Sequence, residues 1–240
     1  MFAGPNGSGK STLKSVLPLE LLGVYLNPDD IEAHIRRTGH LRPSDFGIVT
    51  TRDEILSFMA TAPLLVSAGL IDKAGHLEFT AGRLKFEGVD VNAYFASTIL
   101  DFLRKKLLET KATFTFETVM SHPSKVELLK AVQQAGYRTY LYFVATDDPA
   151  INVSRVRNRI GLGGHPVPED RIVARYHRSL NLLMEAIRHT NRAYVFDNSG
   201  ENTAHTWLAE ITDGRTLEMK TNQVPAWFKR SVLEKISTSV

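Results

Sequence analysis

Short apolar runs alternate along the chain with longer stretches in which apolar residues recur every three or four positions. The short runs predict strands, and the longer stretches predict helices. Strands are predicted at 23–27, 114–117, 137–145 and 193–197. Helices are predicted at 10–17, from about 31, and at 54–68, 91–108, 149–160 and 168–189. Because strands and helices alternate, we expect an α/β fold with a mainly parallel sheet and helices on both faces.

Turn residues add two hairpins to this pattern. The alternating runs 76–79 and 83–86 flank Thr80-Ala81-Gly82 and predict a hairpin there. Asp213-Gly214 predicts a second hairpin, followed by a helix near Trp227.

The pattern is compatible with one domain covering residues 1–240. Segment 41–95 is less regular than the rest and is interpreted as an insertion. The segment from about 200 to 240 is interpreted as a C-terminal hairpin and helix. Ser124 and Glu127 predict a capping box at the start of a further helix, which Gly136 closes.

Composition excludes several classes of protein. Hydrophobic residues make up 43% and charged residues 23% of the chain, which is typical of a soluble globular protein. The absence of cysteine excludes disulfides, thiolate zinc sites and cysteine nucleophiles, and fits a cytoplasmic location. No apolar run is long enough to cross a membrane, and the first residues lack the features of a signal peptide. The net charge of +3 is too small to argue for nucleic-acid binding unless the charge is clustered, and some of it is clustered, as described below.

The strongest chemical signal is a complete phosphate loop at the start of the chain. Its spacing, G-x-x-x-x-G-K-[ST], lets backbone N–H groups surround phosphate oxygens, and a lysine and a hydroxyl then complete the nucleotide and magnesium site. The alternative is a chance glycine-rich turn. Because only three residues precede Gly4, the strand before the loop is expected to be short or to begin upstream of Met1. The predicted nucleotide-binding residues are Gly4, Pro5, Asn6, Gly7, Ser8, Gly9, Lys10, Ser11 and Thr12, with Ser11 also the predicted magnesium ligand.

Two adjacent acids, Asp29 and Asp30, follow the predicted second strand. The carboxyl ends of parallel strands meet at one edge of a sheet, so a carboxylate here can face the nucleotide. Phosphoryl transfer to an alcohol needs a base at the hydroxyl, which favours a catalytic Asp29. The alternative is that Asp29, three residues before Glu32, caps the next helix. Two acids allow both roles.

Arginines form stripes on two consecutive predicted helices. The spacing places Arg155 and Arg159 on one face of the first helix. The second helix carries Arg171, Arg175 and Arg178 on one face. The glycine-rich connection 161–166 lets this arm close over a nucleotide as a lid, where arginines would stabilise the transferring phosphoryl group; the alternative is a solvated basic face. His165 is assigned to the turn and not to a metal site.

These motifs together resemble the zeta toxin family of bacterial P-loop kinases. The resemblance covers residues 1–35 and about 96–200. It depends on residues 3–12 (AGPNGSGKST), 27–29 (NPD), 116–118 (FET), 155–159 (RVRNR), 163–168 (GGHPVP), 175–180 (RYHRSL) and 197–199 (DNS).

The resemblance implies a three-layer P-loop kinase fold, similar to that of shikimate and nucleoside monophosphate kinases, with an arginine-bearing helical lid. It implies transfer of the terminal phosphoryl group of ATP or GTP, with Mg²⁺, to the sugar 3′-hydroxyl of UDP-N-acetylglucosamine or a related UDP-sugar. Segment 41–95 is longer than in compact members of the family and lies where the acceptor would be contacted. Many relatives are paired with an antitoxin, so an antitoxin protein is an expected partner.

The resemblance also implies roles for individual residues. Asp29 is the expected base, and Lys10 and Ser11 are expected to hold nucleotide and magnesium. Glu117 is expected to help place the sugar nucleotide. Asp30 and Thr118 are predicted as further substrate-binding residues. The lid arginine is expected to be Arg159, acting with Arg171 or Arg175.

Two other functions are compatible with the sequence. A nucleic-acid-stimulated ATPase is permitted by the pI of about 9.1 and the basic stripes, although no Asp-Glu pair ends an apolar strand as a water-activating site would require. A nucleotide-binding interaction module without catalysis is the third interpretation. Steep salt dependence of nucleic-acid binding would favour the ATPase, and nucleotide binding without turnover would favour the module.

Overall fold

The computed structural model describes residues 1–15, 17–161, 166–200 and 205–237. Most of the predicted glycine connection, including His165, lies outside the described residues. In the described ranges we find no helix whose length and apolar character would let it span a bilayer.

The described residues contain ten strands. They are β1 (Phe2–Ala3), β2 (Val24–Leu26), β3 (His40–Leu41), β4 (Glu78–Thr80), β5 (Arg83–Lys85), β6 (Phe114–Thr118), β7 (Tyr140–Ala145), β8 (Arg192–Asp197), β9 (Thr206–Thr212) and β10 (Thr216–Met219).

The described helices vary widely in length. They are α1 (Lys10–Lys14), α2 (Pro28–Thr38), α3 (Arg52–Thr61), α4 (Pro63–Ser67), α5 (Ile71–Ala74), α6 (Ala93–Glu109), α7 (Ser124–Gln134), α8 (Pro149–Gly161), α9 (Glu169–Arg188), α10 (Ala226–Phe228) and α11 (Glu234–Ser237). Short 3₁₀ turns occupy Leu19–Leu21 and Pro43–Phe46, and a π-helical turn occupies Lys229–Leu233.

Seven strands form one sheet in the order β10-β9-β8-β7-β1-β6-β2. Strands β8, β7, β1, β6 and β2 are parallel, whereas β9 and β10 add an antiparallel edge. Strand β1 has only two residues, but it lies between β7 and β6 and both side chains are fully buried. The predicted α/β class with a mainly parallel sheet is confirmed.

The chain divides into two compact units, residues 1–17 with 117–240, and residues 18–116. In the first unit, buried aliphatic and aromatic residues of β7, β8 and β9 form the core together with the inner faces of α8 and α9. Val153 and Val156 of α8 pack against Ile172 of α9. The one-domain interpretation of the sequence stays a prediction.

The second unit contains α2 to α6 and a small antiparallel sheet in the order β3-β5-β4. Its core includes a charged side chain, that of Arg104 in α6, which is 92% buried. Arg104 forms an ion pair with Asp101, and its guanidinium carbon lies 5.0 Å from the centre of the Phe116 ring. Burial lowers the pKa of this guanidinium to about 10. The ion pair and the aromatic face offset part of the cost of desolvating the charge.

Several predicted boundaries are confirmed and others are wrong. Both predicted hairpins are present, as β4-β5 and β9-β10. The helix predicted at 54–68 is broken into α3 and α4, because Pro63 lacks the N–H that a continuous helix needs at that position. The capping box predicted at Ser124 is wrong: Ser124 is already inside α7, and its hydroxyl contacts the ring of His122.

The two hairpin turns allow the backbone strain caused by replacing a glycine to be separated from the effect of close packing beside it. Gly82 and Gly214 both have left-handed φ values, of 71° and 65°, but a Cβ at Gly82 would meet open space whereas one at Gly214 would lie 2.7 Å from Arg188 Cα. We expect Gly82→Ala to cost about 1 kcal/mol of unfolding free energy from backbone strain, and Gly214→Ala to cost more because the turn must also move. Urea denaturation followed by circular dichroism measures both, and equal losses would contradict the packing explanation.

Candidate active site

The phosphate loop connects β1 to α1 and is shaped by three glycines. Gly4, Gly7 and Gly9 have φ values of 142°, 73° and 96°, which L side chains rarely adopt. The space beside each glycine is also occupied. A Cβ would lie 2.0 Å from Val144 O at Gly4, 2.7 Å from Asn152 O at Gly7 and 2.4 Å from Asn198 Nδ2 at Gly9. The loop therefore lies directly against its supports and cannot accept larger residues at these positions.

Lys10 lies across its own loop. Its Nζ donates to Gly4 O at 2.8 Å and to Pro5 O at 2.9 Å. The ammonium group is thus held at the loop, where the sequence predicts the phosphates of a nucleotide.

Two side-chain amides hold the outer side of the loop. Asn152 of α8 donates to Asn6 O at 2.6 Å, and Asn198, which follows β8, donates to Ser8 O at 2.9 Å. Because these carbonyls are bonded to the amides, the loop is restrained at two points. Asn152 is itself fixed, since it is fully buried and its Oδ1 accepts a hydrogen bond from Thr146.

A histidine supports the end of the loop. His205 Nε2 lies 3.2 Å from Gly9 O, and because a carbonyl can only accept, the ring carries its proton on Nε2. Burial lowers the pKa of His205; the hydrogen bond to Gly9 opposes this shift, and the neighbouring Arg155 adds to it. The neutral ring is therefore favoured at neutral pH.

Two polar atoms of the loop are buried without a partner in the part of the chain that the structure describes. They are Ser8 Oγ and Asn6 Oδ1. A buried polar atom without a hydrogen bond costs free energy, so such atoms are expected where a ligand supplies the partner. Their position in the loop fits a bound phosphate and its hydration.

The predicted magnesium ligand, Ser11, contacts a predicted substrate residue. Ser11 Oγ donates to Glu117 Oε2 at 3.2 Å, and Glu117, the residue before the last one of β6, is 9% exposed. The neighbouring Thr118 Oγ1 accepts from Met120 N at 3.0 Å and so supports the turn after β6. The described ranges contain no group of three or more His, Cys, Asp or Glu side chains able to bind a metal. Mg²⁺ at Ser11 and Glu117 would thus take its remaining ligands from phosphates and water, as is usual for this ion.

In the unit 18–116, the two acids lie in the first turn of α2, and a neighbouring residue performs the capping role considered for Asp29. Asn27 is the N-cap: its Oδ1 accepts from Asp29 N at 2.8 Å. The helix begins at Pro28, about three residues earlier than predicted. The capping alternative for the Asp29 side chain is wrong, and both carboxylates are exposed.

The same unit contains a cleft of about 560 Å³ beside α2 and β2. This volume is within the range of small-molecule sites. Asp30 lines the cleft, whereas Asp29 is not among its lining residues. The polar and aromatic lining consists of Tyr25, Asn27, Asp30, His34, Arg37, Asp45 and Phe46, with Ile31, Ala33 and Leu41 adding apolar surface.

The arginine stripes do not behave as one group. Arg155 has a structural role, since its guanidinium donates to Asn198 O at 2.7 Å and to Gly200 O at 2.9 Å. Arg159 and Arg171 are exposed, and Arg175 is partly buried. The two helices are also joined at their surfaces, by an ion pair between Arg157 and Glu169. Whether Arg159, Arg171 and Arg175 act as a lid stays a prediction, because the connection between the helices lies largely outside the described residues.

Sequence reasoning missed the supports of the loop. Asn152 and His205 carry no local motif, and their role depends on contacts across more than 140 positions of sequence. Asn198 had a usable signal, because an Asn that directly follows an apolar strand lies at the carboxyl edge of the sheet.

Comparison with known proteins gives three findings. The zeta toxin family model matches residues 87–207, which leaves the phosphate loop outside the matched range. An uncharacterized protein of Haemophilus influenzae is 29% identical over 63 residues, which are 26% of this chain and 45% of that protein. The chain thus spans less than half of that relative.

Crystal structures of the AvrRxo1-ORF1:AvrRxo1-ORF2 complex are similar over 98% of this chain and 62% of theirs. The structure with sulphate ions is 13% identical with a TM-score of 0.49, and the structure with ATP is 13% identical with a TM-score of 0.47. The chain therefore spans less than two thirds of these proteins, and the low identity and TM-scores add nothing about its activity. The family model, in contrast, matches just over half of the 240 residues, and this chain belongs to the zeta toxin family.

Proposed function

We propose that this protein is a phosphotransferase of the zeta toxin type. It binds ATP or GTP with Mg²⁺ and transfers the terminal phosphoryl group to a hydroxyl of a small molecule, namely the sugar 3′-hydroxyl of UDP-N-acetylglucosamine or a related UDP-sugar. The observation that carries the proposal is the phosphate loop, whose three left-handed glycines are packed against neighbouring backbone and amide atoms in a chain that belongs to this family.

The nucleotide would occupy the loop from Gly4 to Thr12. Lys10 would exchange the carbonyls of Gly4 and Pro5 for phosphate oxygens. Mg²⁺ would bind Ser11 together with Glu117, which lies 3.2 Å from the Ser11 hydroxyl. The ion supplies neutralisation of the phosphate charge. This gives Glu117 a metal-binding role instead of the sugar-nucleotide contact expected from the resemblance.

Asp29 is the proposed general base. Its position in the first turn of α2 needs no capping by its own side chain, because Asn27 performs that task. In the proposed reaction Asp29 accepts the proton of the acceptor hydroxyl while the hydroxyl oxygen forms a bond to the terminal phosphorus. The bond from that phosphorus to the bridging oxygen breaks, and the nucleoside diphosphate leaves with the electron pair.

The cleft beside α2 is the proposed acceptor site. Asp30, Asn27 and Asp45 offer oxygen acceptors to sugar hydroxyls, and the rings of Tyr25 and Phe46 offer apolar faces. Arg37 provides a cation for an acidic group of the acceptor. Thr118 is retained as a proposed substrate contact only through the family resemblance, since its hydroxyl already supports the turn to Met120.

Arginines of α8 and α9 would act on the transferring group. Arg159 of α8 with Arg171 or Arg175 of α9 is the proposed source of positive charge for the transition state. The buried contact between α8 and α9 supports this proposal, because it holds the two helices together as one arm. An antitoxin protein that binds and neutralises the enzyme is the proposed partner, by analogy with the family.

The first test is removal of the loop lysine. We expect Lys10→Ala to abolish phosphorylated product from UDP-N-acetylglucosamine while leaving the circular dichroism spectrum unchanged, because the proposed role of Lys10 is to bind phosphate and its side chain is not part of the buried core. Lys14→Ala, four residues later on α1, is the control and should retain activity. Mass spectrometry detects the product. Product formation by Lys10→Ala would contradict the proposal that the phosphate loop carries out phosphoryl transfer. Release of free phosphate without acceptor, stimulated by RNA or DNA, would support an ATPase instead.

The second test separates chemistry from helix stability at Asp29. Asp29 and Asp53 occupy the same position, two residues after the N-cap, in α2 and α3. We expect Asp29→Asn to lower single-turnover transfer by roughly a hundredfold or more, the scale for loss of a general base. Asp53→Asn should leave transfer unchanged. Both substitutions should reduce stability similarly, by about 0.3–1 kcal/mol through the helix dipole. An active Asp29→Asn protein would exclude Asp29 as the base.

The third test concerns magnesium. We expect Glu117→Gln to weaken binding of Mn²⁺ to the protein–nucleotide complex by roughly tenfold or more, because an acidic oxygen ligand is replaced by a neutral amide. Electron paramagnetic resonance of free Mn²⁺ measures this without any need for activity. Glu127→Gln, on the exposed surface of α7, is the matched control. Unchanged Mn²⁺ affinity in Glu117→Gln would show that Glu117 has another role.

A further inference from the structure

The segment after β10 carries Trp227, one of the two tryptophans of the chain. It lies beyond the residues matched by the family model, which end at 207. Trp227 is nonetheless fully buried in the first unit, with its ring 6.1 Å from that of Phe143 in β7 and 5.8 Å from that of Phe228. A side chain of this size that is completely buried fixes the segment to the sheet.

The indole N–H of Trp227 makes a specific polar contact. Nε1 donates to Asp197 Oδ1 at 2.8 Å, at the end of β8. Asp197 also accepts from Ser199, at 2.8 Å from the hydroxyl and at 2.9 Å from the backbone N–H. The Ser199 hydroxyl in turn accepts from Asp147 N at 2.8 Å. The carboxylate of Asp197 therefore joins the C-terminal segment to the loop after β8.

Asn198 lies between these two fixed residues. Its backbone N–H donates to Ala145 O at 2.8 Å, and its side chain donates to Ser8 O in the phosphate loop at 2.9 Å. A Cβ on Gly9 would lie only 2.4 Å from the same amide nitrogen, so the amide fits closely against the loop. A shift of the backbone at 197–199 would move this amide away from Ser8.

We propose that Trp227 is a positioning residue for the phosphate loop. It orients Asp197, which with Ser199 fixes the backbone around Asn198, and Asn198 holds the carbonyl of Ser8. The C-terminal segment is thus part of the nucleotide site without touching the nucleotide. This inference rests on the proposed function only in that the loop binds a nucleotide.

Trp227→Phe tests the proposal, because it keeps an aromatic ring and removes the N–H. Trp207→Phe is the matched control: Trp207 is 39% exposed on β9, and its Nε1 donates to Ala209 O within the same strand. Isothermal titration with a non-hydrolysable ATP analogue and Mg²⁺ measures binding. We expect Trp227→Phe to weaken binding roughly tenfold, the scale of a hydrogen bond to a charged group. Trp207→Phe should stay within twofold of the unsubstituted protein.

A second measurement covers the case in which Trp227→Phe fails to fold. In Trp207→Phe the only tryptophan is Trp227, so its emission is observed alone. We expect that emission to change in a saturable way as the analogue is added, and to lose the change when Asn198→Ala is combined with Trp207→Phe.

The outcomes are distinguishable. Equal affinities of the two tryptophan variants for the ATP analogue would overturn the positioning role while leaving nucleotide binding intact. The same holds if the emission of Trp227 does not change at a saturating concentration of the analogue. Absence of binding by the unsubstituted protein would overturn the proposed function and this inference with it.

Discussion

The site depends on close packing around a loop that has no side chains at three positions. Gly4, Gly7 and Gly9 each lie so near a neighbouring oxygen or nitrogen that a methyl group would overlap with it. Two consequences follow from this one constraint. The loop can bend in the left-handed manner that directs backbone N–H groups inward, and the elements behind it can approach closely enough to hold it.

The supports of the loop come from distant parts of the first unit. Asn152 lies on α8, Asn198 follows β8, and both donate to carbonyls of the loop. Behind Asn152, the buried hydroxyl of Tyr176 donates to Thr146 O at 2.7 Å, which joins α9 to the same network. Burial raises the pKa of Tyr176, so the hydroxyl keeps its proton and remains a donor. The conformation of a few residues near the start of the chain is thus set by residues up to about 200 positions away.

The sequence predicted what local patterns encode. The apolar strands β7 and β8 and the Asp213-Gly214 hairpin each carry their own signal, and each is present. Local patterns do not show which of two nearby residues takes a role that both could perform. Asn27 and Asp29 are both good N-caps, and only the backbone geometry decides that Asn27 accepts the hydrogen bond. The contact of Ser11 with Glu117 joins residues 106 positions apart, and no spacing rule could reveal it.

The hydrogen bonds of Lys10 to its own loop have an entropic consequence. A lysine side chain that becomes immobilised loses rotamer freedom worth about 1.5–2 kcal/mol. Because Nζ is already held by Gly4 O and Pro5 O, much of that loss occurs during folding and not when a ligand arrives. An incoming phosphate would replace two neutral acceptors around an ammonium group that is already in place, so the loop is preorganised for an anion.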